Sequence, residues 1–567
     1  MTFTQNFTAV GNNLSLTAIV ALLPILYFFW ALAIKRMKGH IAGLTTLILA
    51  IIIAVIAYKV PVGMAVMSAT QGAVYGVLPI GWIIVASVFL YKITVKSGQF
   101  EIIRHSVLSI TEDRRLQALL VAFSFGAFLE GAAGFGAPVA ISAALLVGLG
   151  FNPLYAAGIC LIANTAPVAF GAIGIPVIAM EGPTGIAAKE ISKMIGRQLP
   201  FLSAFIPFYL VFIMAGFKKT LEVLPAILVS GFSFAITQYL SSNFLGPELP
   251  DILSALVSLF ALAIFLNFWK PKTTFHFSAE QELAATSAVT ISGSKTKEVH
   301  YTGGQIFKAW SPFILLTATI TLWGIPTIKL ALSGHYEGHN AILKVVNSIG
   351  HALSFVPEVP LIHNKVFSEA GGTPIAAVYK LELLAAAGTA ILIAAIITKF
   401  IVKMSWKDWA ATFAGTLNEV KYPLITIASV VGFAYVINLA GMSTTLGLAL
   451  AKTGSVLFPF FSPFLGWLGV FVTGSDTSAN VLFAKLQMVT AKNIGMDPVL
   501  ALAANSSGGV TGKMISPQSI AVACAAVGLV GKESDLFRFT IKHSIFLVVM
   551  IGIIVWLQNS VLTFMIP

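Results

Sequence analysis

Charge is scarce in this chain. Asp, Glu, Lys and Arg make up 10% of its 567 residues, where about 25% is usual for a soluble protein. Cysteine is scarcer still. Cys160 and Cys524 are the only two, both inside apolar stretches, which excludes a disulfide framework and a thiolate metal site. There is no HExxH, no Walker motif and no nucleophile elbow, and the glycines of "GAAGFG" follow no strand pattern, so neither an enzyme nor a phosphate-binding loop is supported. Apolar residues, by contrast, are 57% of the chain, and mean hydropathy is +0.91. A soluble protein of this size leaves about a quarter of its unfolded surface wet, and cannot hide so much apolar area. A soluble enzyme, a secreted scaffold and a disordered chain are therefore excluded. The composition predicts an all-α polytopic membrane protein with about 12 or more spans of about 20 residues each.

The net charge of +12 would suggest nucleic acid in a soluble protein. Here Lys and Arg sit mostly in short loops between apolar stretches, where they set orientation, and no nucleic-acid partner is expected. The first span, 16–34, is followed by Lys35, Arg36 and Lys38, which places that loop inside and the N-terminus outside. No Lys or Arg precedes Lys35, so this stretch lacks a signal peptide's basic region and is expected to be retained. A second span, 41–57, goes out, and a third returns near Tyr91 to the basic stretch from Lys92 to Arg115. The span 201–217 ends inside at Lys218 and Lys219, with Arg197 as an interfacial anchor before it. The loop "GPELPD", 246–251, lies outside, and its Glu248 and Asp251 read as solvated. The polar stretch 270–305 reads as a cytoplasmic linker. Spans 310–323 and 381–398 flank an outer loop in which His363 is expected to be exposed, and the second leads inside to Lys399, Lys403 and Lys407. The segment 532–543 is inside and the last span exits near Leu562, so both termini face outward.

The chain repeats itself. "FLYKI" (89–93) and "FAYVI" (433–437) are each followed by a glycine, Gly98 and Gly441. Then come "FLEGAAGFGAP" and "FVTGSDTSAN"; Phe89 to Gly131 is 42 positions and Phe433 to Gly474 is 41. Next are "ANTAPVAFGAIGIP" (163–176) and "ANSSGGVTGKMISP" (504–517), with the proline 12 residues after the Asn in both. Four matches in one order at similar spacing indicate duplication. Tyr91 sits at the inner end of its span and Tyr435 near the outer end, so the copies form an inverted-topology repeat, as in many secondary transporters.

In hydrocarbon a helix can break only where protein or a wet cavity receives its freed backbone groups. "EGAAGFGAP" and "TGSDTSAN" each read as the tip of a re-entrant hairpin with two short apolar arms, and the two "AN" motifs read as interrupted spans. Half-helix N-termini at such breaks carry partial positive charge and can hold a carboxylate. The expected substrate contacts are Gly131, Gly134, Asn164, Thr165, Ser475, Thr477, Asn505, Ser506, Ser507 and Lys513. Three charges lie among the breaks: Glu130, Asp476 and Lys513. Charges at membrane depth cost about 2.5–3.5 kcal/mol on insertion scales and are functional candidates by default. Glu130 among apolar neighbours is the first choice for a carboxyl that gains and loses a proton, against a structural cap or ion pair. Asp476 is a second proton-coupling candidate, or the cap of its hairpin arm. Lys513 pairs either with a substrate carboxylate or with Asp476.

These residues carry a family likeness. "FLEGAAGFGAPVAI", "ANTAPVAFGAIGIP", "QYLSSNFLGPELPDI", "FVTGSDTSAN" and "GGVTGKMISPQSIAVACAAVGLVGKESDLFRFT" strongly resemble the bacterial L-lactate permease family, from near the N-terminus to the final "MIP". The resemblance implies a symporter of protons with L-lactate and related 2-hydroxy monocarboxylates such as D-lactate and glycolate, in the bacterial inner membrane, with no cofactor and no metal. Sodium coupling is the alternative, since the Ser, Thr and Asn-rich breaks also suit that ion. A lactate receptor would need a signalling domain larger than 270–305, and a channel would pass currents beyond any carrier's turnover. The expected organisation is scaffold spans 1–88, repeat A 89–200, scaffold 201–269, linker 270–305, scaffold with outer loop 306–432, repeat B 433–531 and a last span 532–567.

Overall fold

The computed structural model describes residues 2–132, 134, 137–277, 301–368, 372 and 374–567. Most of the linker, 278–300, lies outside the described residues. Eleven described helices are long and apolar enough to cross a membrane, or twelve when a pair bent by 65°, Pro153–Ala163 and Val168–Ile178, counts as one span. The apolar composition thus becomes a helical bundle, as expected. Among the described residues strands are limited to short pairs: Phe3–Thr4 runs parallel to Val366–Phe367, and Ser354–Phe355 antiparallel to Leu381–Glu382. The first pair ties the N-terminal segment to the loop assigned to the same face.

The second strand pair corrects one span. The stretch expected as 381–398 opens as a strand, and its helix is Ala387–Ile401, 15 residues. At 1.5 Å per residue it is about 22 Å long, short of a bilayer core of about 30 Å.

The two copies correspond element by element. In each, a long helix (Val62–Lys96, Trp406–Ala440) ends at a left-handed glycine, Gly98 or Gly441, and a ten-residue helix follows (Gln99–Leu108, Met442–Ala451). Each then makes a helical hairpin, Arg114–Ala132 with Ala137–Gly148 and Gly454–Thr473 with Asp476–Ile494. The first arms, 19 and 20 residues, are longer than the short arms expected. Next comes a helix that starts with proline and is capped by the preceding side chain, Asn152 or Asp497.

The long helices show the inversion directly. Gly72 approaches the backbone at Val431 and Gly432, Gly76 meets Ala428, and Phe89 packs edge-on against Trp409 and Phe413 at 4.9 and 5.1 Å. Lys92 pairs with Glu419, and Lys96 with Asp408 at 3.2 Å. The C-terminal end of one copy's first helix therefore lies beside the N-terminal half of the other's. They run antiparallel.

Copy B departs from expectation at its second motif. Asn505, Ser506 and Ser507 sit inside an unbroken helix, Pro498–Lys513, and the interruption falls at 514–516, before Pro517–Ala526. The glycines read as a break serve close packing instead. A Cβ on Gly508 would meet Pro463 Cα at 2.6 Å, and one on Gly512 would meet the Trp467 carbonyl carbon at 3.1 Å, both on Gly454–Thr473. Small residues let membrane helices approach this closely, and Gly508 and Gly512 have the required four-residue spacing.

Fully buried Arg115 binds Asp113 at 2.7 Å, Glu222 at 2.8 Å and the carbonyls of Lys219 and Thr273. This fastens the start of the linker to two helix ends. Hydrogen bonding to Arg115 holds the Glu222 carboxyl below the usual carboxylate range. A depressed carboxyl stabilises the fold above its unfolded pKa, and that contribution is lost as pH falls through the lower folded value. Thermal unfolding in detergent is expected to shift to lower temperature on acidification below about pH 4. Glu222→Gln is expected to reduce that acid shift; an equal shift in the variant would contradict the assignment.

Candidate functional site

Two carboxylates and one ammonium meet between the copies. Glu130 lies near the end of Gly126–Ala132 and is 2% exposed. Its Oε1 accepts from Lys513 Nζ at 2.7 Å and its Oε2 from Asn164 Nδ2 at 3.0 Å. Lys513 closes Pro498–Lys513, where the carbonyl end of the helix also favours a cation. Burying such a pair is costly unless its remaining hydrogen-bonding capacity is met, and Asn164 meets part of it.

Asp476 opens Asp476–Ile494, with Ser475 as the cap that accepts from Ser478 N–H at 3.2 Å. Its Oδ2 accepts from Ser506 Oγ at 2.8 Å and Asn480 Nδ2 at 3.1 Å, while Oδ1 has no partner among the described residues. Asn480 also donates to the Pro176 carbonyl at 3.1 Å, so repeat B's hairpin holds the end of repeat A's bent helix. The copies mirror one another chemically. A hairpin carboxylate accepts from a polar side chain of its "AN" motif and faces a glycine: Gly171 beside Glu130, Gly509 beside Asp476.

A cavity of about 650 Å³, counting its open mouth, lies between these groups. Glu130, Gly134, Ser475, Asp476, Thr477 and Lys513 line it, as do Gln518 and Ser519 from the helix after the second break. That helix presents its N-terminus, with Ser516 Oγ accepting from Ser519 N–H at 3.2 Å. The bent pair contributes Gly171, Ala172 and Pro176. Ala172 and Ile173 hold φ of 46° and 60°, a left-handed conformation that L side chains pay for with about 1–3 kcal/mol each. Strain is therefore stored at the wall of the cavity.

Six of the twelve expected residues line the cavity. Asn164 reaches it through Glu130 and Ser506 through Asp476. Gly131 and Thr165 are buried beside it. Asn505 and Ser507 turn elsewhere: Asn505 bonds Asn480 and Gln487, and Ser507 Oγ donates to Gln198 Oε1 at 2.7 Å. Gln518 and Ser519 were missed, although "SPQS" has the Ser–Pro signature of a helix start.

The lesser candidates also have places. Arg197 donates to Asn243 Oδ1 and the Met565 carbonyl, both at 2.9 Å, tying helix ends together. His363 is half-buried rather than exposed, its Nδ1 3.0 Å from the Ala377 carbonyl. The loop 246–251 is not solvated as expected. Its Pro247 carbonyl rests on Gly174, where no Cβ would fit, and Asp251 is 1% exposed.

A Cβ on Gly171 would come within 2.9 Å of Glu130 Oε1. Gly171→Ala is therefore expected to push the carboxylate off a charged hydrogen bond worth about 1.5–3 kcal/mol, and to lower transport about ten- to hundredfold. Uptake assays with protein of unchanged melting temperature check this; full activity would show that the carboxylate's position is unimportant.

Comparison with known proteins agrees with the likeness read from the motifs. The family model described as L-lactate permease matches residues 17–562. The chain is 71% identical to an L-lactate permease of Bacillus subtilis (strain 168), over 100% of both chains. It is 54% identical to the glycolate permease GlcA of Escherichia coli (strain K12) and 54% identical to an L-lactate permease of the same strain, in each case over 99% of both chains. With its helical bundle and the family match spanning nearly its whole length, this multi-pass membrane protein belongs to the L-lactate permease family.

Proposed function

We propose that the chain takes up L-lactate, and related 2-hydroxy monocarboxylates such as D-lactate and glycolate, by symport with one proton across the bacterial inner membrane. The observation that carries this is the buried Glu130–Lys513 pair, which joins repeat A to repeat B. Lactate brings one negative charge, and Lys513 is the cation placed to receive it, with Gly134, Ser475 and Thr477 around it. Glu130 then loses its partner while buried, and neutralises by taking a proton. The Glu130–Lys513 pair is electrically neutral when empty, one carboxylate against one ammonium. It is neutral again when loaded only if one proton accompanies each lactate. Asn164 keeps Glu130 oriented in both states, and Asp476 is a second carboxyl able to take part.

Neutral loading suits uptake. An inside-negative potential opposes lactate alone by about 2.3 kcal/mol per 100 mV, and does not act on lactate with its proton. Alternating access follows from the repeat: 89–200 and 433–531 move as a core against the remaining spans, and both termini face outward. In proteoliposomes, an imposed potential is expected to leave the lactate uptake rate unchanged while an inward proton gradient raises it. A rate that follows the potential would contradict one-to-one coupling.

A further inference from the structure

Asp251 takes no part in the charge exchange between lactate, Lys513 and Glu130. It stands in the first turn of Pro250–Phe268, and neither carboxylate oxygen has a hydrogen-bond partner among the described residues. An ionised carboxylate buried in this way is among the most unfavourable arrangements a protein can hold, whereas its protonated form is neutral. Its place gives that proton a use. Asp251 packs against Gly131, the residue after Glu130: a Cβ on that glycine would lie 2.8 Å from Asp251 Cβ. The charged groups facing it are Glu130 and Lys513, with Glu248 three residues earlier in its own loop. Of the helices packed against its own, Gly126–Ala132 carries Glu130, while Leu224–Phe244, Ala118–Phe125 and Gly171–Ile178 carry no charged residue.

Two neighbouring carboxyls thus have opposite surroundings. Glu130 accepts hydrogen bonds from Lys513 and Asn164, and Asp251 accepts none among the described residues. Environments that push two carboxyls apart in this way assign one as proton donor and the other as acceptor. We propose that Asp251 stores a proton in the empty transporter and passes it to Glu130 when lactate draws Lys513 away. The O–H bond on Asp251 breaks as one forms on Glu130, and the ionised Asp251 afterwards regains a proton from bulk water. This inference rests on the proton-symport reading and assigns the route of that proton.

The test is a rescue experiment in proteoliposomes, read as counterflow, the exchange of labelled outside lactate for unlabelled lactate inside. Asp251→Asn, which cannot donate, is expected to lower counterflow about tenfold or more. Adding Glu130→Gln, whose neutral side chain needs no proton, is expected to restore it to within about twofold of Glu130→Gln alone. A role in packing alone would depress counterflow equally in both backgrounds, and that result would overturn the proposal. Infrared spectroscopy tests it without altering residue 251. The lactate-free Glu130→Gln/Asp476→Asn double variant is expected to retain a protonated-carboxyl band, and absence of the band would overturn the proposal. Wild-type protein is the common reference. If it shows no accumulation driven by a proton gradient, the symport reading itself fails; if it accumulates lactate but rescue does not occur, only the relay through Asp251 fails.

Discussion

Lys513→Met is expected to abolish lactate uptake and to destabilise the protein by about 3–5 kcal/mol, the cost of leaving a buried charge without its partner. Glu130 is the group left behind, 2% exposed with only Asn164 to hold it. The loss of stability is a statement about the pair, so it is expected to shrink when both partners are changed. The Glu130→Gln/Lys513→Met double variant should melt closer to wild type than Lys513→Met does, because Glu130 then leaves no unpaired charge buried. Transport should stay absent in the double variant, since nothing is left to receive a carboxylate. Melting temperatures in detergent and labelled uptake read the two effects separately. Equal melting of the single and double variants would show that the 2.7 Å pair is energetically idle.

Glu130→Gln alone is expected to separate two activities. The neutral amide resembles the protonated acid in shape, so Lys513 is free for lactate without any proton arriving. Exchange of lactate across the membrane should persist, while accumulation driven by a proton gradient should disappear, since the variant can neither take up nor release the coupled proton. Loss of both activities in a protein that still folds would assign Glu130 to positioning Lys513 and remove it from the coupling step. Retention of both would move the proton elsewhere altogether.

The parts of this site legible in the sequence are those where a local pattern breaks its own rule. Glu130, Asp476 and Lys513 stand out as charges inside apolar runs, and the structure brings all three to one cavity. The inverted repeat was legible too, because it repeats order and spacing, and the antiparallel long helices follow it. What local pattern could not distinguish was the purpose of a glycine. In 163–176 glycines accompany a bend; in 504–517 the same composition packs an unbroken helix against its neighbour. Asp251 was hidden for a different reason. A Gly–Pro–Glu–Leu–Pro–Asp loop beside a span reads as solvated, and its burial depends on Gly174, more than seventy residues away, whose missing side chain leaves room for the Pro247 carbonyl. No local signal reports a contact of that length.

The central claim is that a proton balances the charge of the substrate, and accumulation of labelled L-lactate in proteoliposomes tests it most directly, with proton and sodium gradients imposed independently. The account predicts accumulation under a proton gradient with sodium absent from both sides, and no further accumulation when a sodium gradient is added. Accumulation that required sodium would contradict it, and would turn attention to Asn164 Oδ1 and Thr165 Oγ1, buried oxygens beside Glu130 that have no hydrogen-bond partner among the described residues.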